Sequence, residues 1–316
     1  MSNDKFFELV LDLIFNGKGG VGKTTIAAHL HEWLRYHCLS HLLLDVDDNK
    51  SLSRLCAQAQ PHALKGKVEI TEDGVKVARE VVTKEGVESL FNRVLDAEIV
   101  VGDTPANVTA EFAQLFAAAQ FRESFEAMRA RLTFILVITS TDTVAAEEAR
   151  RLVAAVKRDA SYVVILNERL GSDFTGYHNS PTHDVLQSLG APEIRFPAIP
   201  ARIQRDLDAN KLTLPQYVGR WWELHQTNAR EAFRATLSAQ EATTALKKAF
   251  QSFNDIAEAL LPTAAAAKLE PIEGEKLKGF CLARWLEHRN LAVGAVPAGT
   301  PTTKTTTAKQ AAGTGN

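Results

Sequence analysis

Apolar residues along the chain fall into short uninterrupted runs separated by longer stretches with helical spacing. The runs are Leu9 to Phe15, His41 to Asp45, Glu98 to Val101, Leu132 to Ile138 and Tyr162 to Leu166. Runs this short and this continuous predict strands buried on both faces, as a parallel sheet requires. Between the first two, Ile26, Leu30, Trp33 and Leu34 recur at i, i+4, i+7 and i+8 and predict a helix with one apolar face. Ala145 to Val156 repeats the pattern, with Glu147, Glu148, Arg150 and Arg151 on the opposite side. Strands alternating with helices predict an α/β fold: a doubly wound, mostly parallel sheet flanked by helices with right-handed crossovers.

Other segments read differently. Lys67 to Thr71 and Val75 to Ala78 flank Glu72-Asp73-Gly74, a tight-turn signal, and predict a small hairpin. Leu214 to Leu261 is rich in Ala, Glu and Gln and is expected to be helical, followed by a hinge at Pro262 and the alanines to Ala267. Phe280 to Leu291 is apolar and basic and is expected to dock back as a helix. From Pro297 to Asn316 the chain is Thr, Ala, Gly and Lys with almost nothing to bury, so disorder is expected. The expected organisation is a main domain over 1–261, an appendage over 262–296 and a tail over 297–316.

Composition changes this picture little. With 316 residues, 45% of them hydrophobic, and a formal charge of −2, the chain has the balance of an ordinary globular protein without a bulk basic excess. A local patch of Arg can still bind nucleic acid, and Arg202, Arg205, Arg220, Arg230 and Arg234 are candidates. Cys38, Cys56 and Cys281 are far apart and form no close ligand pair, which favours a cytoplasmic location. His29 and His31, two apart on a helix, face different sides and do not form a metal pair. The apolar start is interrupted by Glu8 and Asp12 and does not read as a signal peptide. No apolar run approaches the roughly 18 residues a membrane-spanning helix needs, and membrane binding is not expected.

The densest chemistry lies at Gly17-Lys18-Gly19-Gly20-Val21-Gly22-Lys23-Thr24-Thr25, immediately after the first predicted strand and before the first predicted helix. This satisfies the phosphate-loop pattern Gly-x-x-x-x-Gly-Lys-Ser/Thr. Glycines let consecutive backbone N–H groups turn inward around an anion, and the following helix presents its positive end to it. Lys23 is then placed to reach the β- and γ-phosphates, the Thr24 hydroxyl to bind Mg²⁺, and Thr25 to add a phosphate hydrogen bond. Two apolar strands also end in acids: one at Asp45-Val46-Asp47-Asp48-Asn49, the other at Asp103-Thr104-Pro105-Ala106. Carboxylates at the C-terminal edge of a doubly wound sheet sit where such folds bind ligands.

The second lysine, Lys18, gives the loop a deviant form that resembles the ParA/MinD family of P-loop ATPases. That family also includes the nitrogenase iron protein and the arsenite and tail-anchored-protein ATPases. The resemblance covers roughly residues 7 to 260 and implies ATP and Mg²⁺ as ligands. It implies a homodimer with ATP sandwiched between subunits, in which Lys18 reaches the partner's phosphates. It implies further that Asp47, 24 positions after Lys23, orients the attacking water, that Asp45 supports the metal shell and that Asp103 holds Mg²⁺ with Thr24. Asn167, ending Tyr162-Val-Val-Ile-Leu-Asn, resembles the residue that contacts adenine, and Pro197, within Arg195-Phe-Pro-Ala-Ile-Pro200, resembles a loop beside the base. Asp48-Asn49 stands where the family usually has Pro-Gln, and Gly102 where it keeps an aliphatic residue. By the same resemblance the output is DNA or plasmid segregation through nonspecific DNA. The alternative is an adaptor that positions a protein partner in conjugative transfer or polar localisation. A partner protein that stimulates hydrolysis is expected in either case.

Overall fold

The computed structural model describes residues 7–72, 75–106, 108–118, 121–140 and 143–292. The first half contains β1 (Leu9–Phe15), α1 (Lys23–Tyr36), β2 (Leu42–Asp45), α2 (Ser51–Leu55), β3 (Gln60–Pro61), β4 (Lys65–Glu72), β5 (Val75–Val82), α3 (Lys84–Asn92), β6 (Ile99–Asp103), α4 (Thr109–Ala118) and α5 (Phe121–Ala127). It continues through β7 (Ala130–Thr139), α6 (Thr143–Val156), β8 (Ser161–Asn167), α7 (Thr175–His178), α8 (Pro181–Ser188) and β9 (Glu193–Phe196). Helices α9 (Ala201–Asn210), α10 (Leu214–Thr227), α11 (Ala229–Asp255), α12 (Ala257–Leu260), α13 (Thr263–Ala266) and α14 (Gly274–Ala292) complete it.

Seven strands form one parallel sheet in the order β3-β2-β6-β1-β7-β8-β9, with β1 at its centre. All five predicted strands are present, each within a few residues of its expected bounds. The alternation of side chains explains how one continuous apolar run serves two layers. On β1, Val10 and Ile14 belong to the core shared with α1, α9, α10 and α11. Leu11, Leu13 and Phe15 belong to the opposite core, with α3 to α6 and α8. The sheet is therefore doubly wound, as the pattern of runs predicts. The predicted hairpin is the separate antiparallel pair β4-β5, whose Asp73-Gly74 turn lies outside the described residues.

The expected helical stretch from Leu214 is three helices, broken at Asn228 and Ile256. Helix α11 buries Ala242, Ala245, Leu246, Ala249, Phe250 and Phe253, which recur at three- and four-residue spacing. Helix α14 lies against α10 and places Leu277 and Cys281 in the same core as α1. Gly219 of α10 makes that approach possible, since a Cβ there would stand 2.0 Å from the Cys281 carbonyl oxygen. The expected tail at 297–316, and the last residues of the expected appendage, lie outside the described residues. No helix among the described residues is long and apolar enough to cross a membrane.

Candidate nucleotide site

The loop between β1 and α1 is held in shape before it meets any ligand. The Asn16 side-chain amide donates to the Val137 carbonyl at 2.7 Å and the Ala145 carbonyl at 3.3 Å, while its oxygen accepts from the Lys18 N–H at 2.8 Å. This ties the loop's first residues to the end of β7 and the start of α6. Gly22 caps α1 with φ of 100°, and a Cβ there would lie 2.5 Å from the Asn167 amide nitrogen. Glycine is required at that position on both counts.

A cavity of about 430 Å³ opens over the loop, lined by Gly19, Gly20, Gly22, Lys23, Thr24 and Thr25. Asp47, Asp48 and Asn49 close a second side, Thr104, Pro105 and Ala106 a third, and Lys65 and Arg169 also reach it. Gly17 and Val21 are buried at the loop's base and Lys18 is exposed beside it. Lys23 is mostly buried, with its ammonium 3.1 Å from the Lys18 carbonyl. Burial lowers its pKa, and the neighbouring Asp103 and Asp47 carboxylates oppose that shift.

Behind the loop, the Thr24 hydroxyl donates to Asp103 Oδ2 at 2.7 Å. Register places Asp45 directly beside Asp103 on the neighbouring strand. Asp45 does not line the cavity: Oδ2 accepts from the Ser53 N–H at 2.7 Å at the start of α2. Burial pushes Asp103 up to about 7, countered by the Thr24 hydrogen bond and Lys23 and reinforced by Asp45 and Asp47. Asp103 Oδ1 and Asp45 Oδ1 are buried with no hydrogen-bond partner among the described residues. Two such acidic oxygens beside a hydroxyl are a donor set suited to a hard divalent cation such as Mg²⁺. Thr104 fastens this end of β6 through its hydroxyl, which donates to the Ile14 carbonyl at 2.8 Å.

Asp47 starts a turn and its Oδ1 accepts from the backbone and side-chain N–H groups of Asn49, each at 3.2 Å. Asp48 pairs with Lys65 at 2.7 Å and so ties the segment after β2 to the β4-β5 hairpin. Asp48 and Asn49, which stand where the family usually has Pro-Gln, thus each have a partner, Lys65 for the one and Asp47 for the other.

A second cavity, about 290 Å³, continues past Thr25 and is lined by Asn167, Arg169, Phe196, Pro197, Ile199 and Arg205 among others. Asn167 and Pro197 therefore line one cavity. The Asn167 amide, however, donates to the Val21 carbonyl at 2.8 Å and its oxygen accepts from the Arg169 N–H at 3.2 Å. Its polar atoms support the loop from within the chain. Arg169 lines both cavities, a position sequence spacing gave no means of finding. His29 and His31 serve other ends: His29 meets the Thr25 carbonyl and His31 meets His41, each at 2.7 Å.

The family model described as the CobQ/CobB/MinD/ParA nucleotide binding domain matches residues 13–261. No curated protein matches the chain. Among solved structures, the MinC:MinD cell division protein complex of Aquifex aeolicus is similar at a TM-score of 0.41 and 17% identity, covering 75% of this chain and 95% of that one. The pNOB8 ParA bound to nonspecific DNA is similar at 0.38 and 17%, covering 65% and 84%. FlhF complexed with GMPPNP and Mg²⁺ is similar at 0.32 and 14%, covering 61% and 67%. Likeness at this level adds nothing to the strand order and geometry given above.

Proposed function

The chain belongs to the CobQ/CobB/MinD/ParA nucleotide-binding domain family, and from that premise we propose that it is a Mg²⁺-dependent ATPase acting as a switch that dimerises on ATP. The observation that carries this reading is the Thr24–Asp103 hydrogen bond of 2.7 Å behind a glycine loop whose Lys23 is buried with its ammonium at the Lys18 carbonyl. Backbone N–H groups of the loop bind the phosphates, with Lys23 countering their charge. Thr24 and Asp103 hold the metal, and Asp45 fixes Asp103's neighbourhood from the next strand. Held by Thr24 and Asp103, Mg²⁺ would supply positive charge against the negative charge of the phosphates. Asp47 at the cavity wall orients water toward the γ-phosphate. Lys18, exposed beside the loop, supplies charge to a partner's site across the dimer, where fixed charge acts on the transition state.

The output we propose is DNA or plasmid segregation through nonspecific DNA. One set of observations favours a second reading, the adaptor for a protein partner. Arg202 pairs with Glu241 at 2.6 Å, Arg220 lies over the Trp285 ring, and Arg205 lines the second cavity. Two of the five candidate basic positions are thus engaged within the chain, Arg205 faces the second cavity, and the side chains of Arg230 and Arg234 lie outside the described residues. Phosphate release and retention on random duplex DNA test both parts. Asp47→Ala is expected to bind ATP while phosphate release falls by about 100-fold or more; release at the wild-type rate would contradict the role of Asp47. Retention with ATP at low salt and loss at high salt supports segregation. Indifference to DNA at low salt supports the adaptor.

A further inference from the structure

A second cluster of chemistry-bearing side chains lies at the β9 edge of the sheet. Ile194 and Phe196 turn into the core shared with α1 and α11, so the period of two turns Glu193 to the opposite face. Tyr177 and Leu186, from α7 and α8, pack in the core on that face. His178 ends α7, and His183 sits in the first turn of α8, where its N–H is capped by the Ser180 hydroxyl at 3.3 Å. One ligand atom from each of His178, His183 and Glu193 lies within 4.8 Å of the other two. His178 Nε2 is 2.9 Å from Glu193 Oε1, and the two imidazole rings meet edge-on at 5.2 Å.

Hydrogen bonding leaves this cluster incomplete. His183 Nδ1 and Glu193 Oε2 are each buried with no hydrogen-bond partner among the described residues, His183 Nδ1 having a long 3.9 Å contact with the exposed Asp184, while the neighbouring Tyr177 hydroxyl interacts with Glu193. Buried polar atoms are nearly always paired, so the two left over beside the His178–Glu193 contact call for a group that satisfies them. The His178–Glu193 contact uses one carboxylate oxygen and leaves the rest of the set unsatisfied.

We propose that His178, His183 and Glu193 form a binding site for one divalent transition-metal ion of the zinc class, separate from the nucleotide site. Two imidazoles and a carboxylate are the donors that zinc takes, whereas Mg²⁺ and Ca²⁺ select oxygen alone. Tetrahedral zinc at about 2.0–2.1 Å from nitrogen holds its ligand atoms roughly 3.4 Å apart. The present ligand atoms, within 4.8 Å of one another, need to draw in by at most about 1.4 Å to meet that spacing. The histidine side chains are 33% and 24% exposed and Glu193 is 22% exposed, so an ion can approach from solvent. The ion clips α7 and α8 to β9, and β9 leads directly into Pro197 at the wall of the second cavity.

The test uses the untagged full chain, stripped with chelator and kept in excess Mg²⁺ and ADP so that the P-loop is filled. Zinc is titrated against a chromogenic chelator, and X-ray absorption is recorded on the zinc-loaded wild type. One zinc per chain, with imidazole scattering at about 2.0 Å, is expected. Affinity is expected to fall at least about tenfold in both His178→Gln and His183→Gln. Absence of competition with the chelator overturns the site. Bound zinc without imidazole scattering, or affinity unchanged in both variants, overturns it as well. The absorption measurement needs no variant and stands even where a substitution unfolds the chain.

Discussion

Asp12 lies in the middle of the central strand with 1% of its surface exposed, opposite Thr133 on β7. Burial pushes its carboxyl up to about 8, against the pull of Arg131 and of a hydrogen bond with Thr133. Arg131 in turn donates to the Glu258 and Leu261 carbonyls, so the pair anchors the end of α12 beneath the sheet. The folded chain holds this proton below about 8, while the unfolded chain releases it above its ordinary value of 3.8. Between those values folding binds a proton, so this group's contribution to stability falls as pH rises, by up to about 1.4 kcal/mol per pH unit. Asp12→Asn is expected to remove that slope. Urea denaturation of both proteins from pH 5 to 9 checks it, with the variant gaining relative to wild type as pH rises. Buried His29 and His31, whose lowered pKa values add stability as pH rises, cancel in the difference. A constant gap between the two proteins would contradict the buried proton. At this scale the sequence revealed what was local: the spacing from Gly17 to Thr25 and the acids ending β2 and β6. Asn16 was not legible as the loop's fastener, because its partner Val137 is 121 residues away.

Among the elements, α1 joins the phosphate loop to the C-terminal helix. Glu32 of α1 is fully buried and accepts two hydrogen bonds from Arg284 of α14, at 2.7 and 3.0 Å, and one from Thr213 at 2.8 Å. Arg35 adds a half-exposed pair with Glu287 at 3.0 Å. Removing Arg284 leaves the Glu32 carboxylate buried without its cation, which costs about 3–5 kcal/mol. Arg284→Ala is therefore expected to lose that much stability in chemical denaturation, and Glu32→Gln with Arg284→Met to recover most of it. A double variant as unstable as the single one would mean that lost packing, and not the stranded charge, is responsible. Strands β1, β2, β6, β7 and β8 were legible because both faces are buried and their apolar runs are continuous. Strand β3 is two exposed residues, and β9 interleaves Glu193 and Arg195 with Ile194 and Phe196. An edge strand lacks the continuous run by which the others were found. The α10–α14 contact rests on Gly219, and the α1–α14 contact on a pairing 252 residues apart between Glu32 and Arg284, neither of which has a local signature.

The whole molecule presents its phosphate loop at one end of the sheet, with Lys18 exposed and the rest of the loop held from behind by Asn16, Thr24 and Asn167. Lys18 is exposed beside a site otherwise ordered within one chain, and the proposed dimer is tested through it. The family's nucleotide-binding domain ends at residue 261, yet α14 completes the core around α1, so loop and C-terminal helix are parts of one packed body. The decisive measurement is the light-scattering mass of the full chain in Mg²⁺ with ATP and with ADP, for wild type, Asp47→Ala and Lys18→Ala. We expect the mass to double with ATP and not with ADP, the doubled state to persist longer in Asp47→Ala, and Lys18→Ala to stay a monomer while still binding ATP. A mass indifferent to nucleotide in a protein shown to bind ATP would contradict the dimer switch.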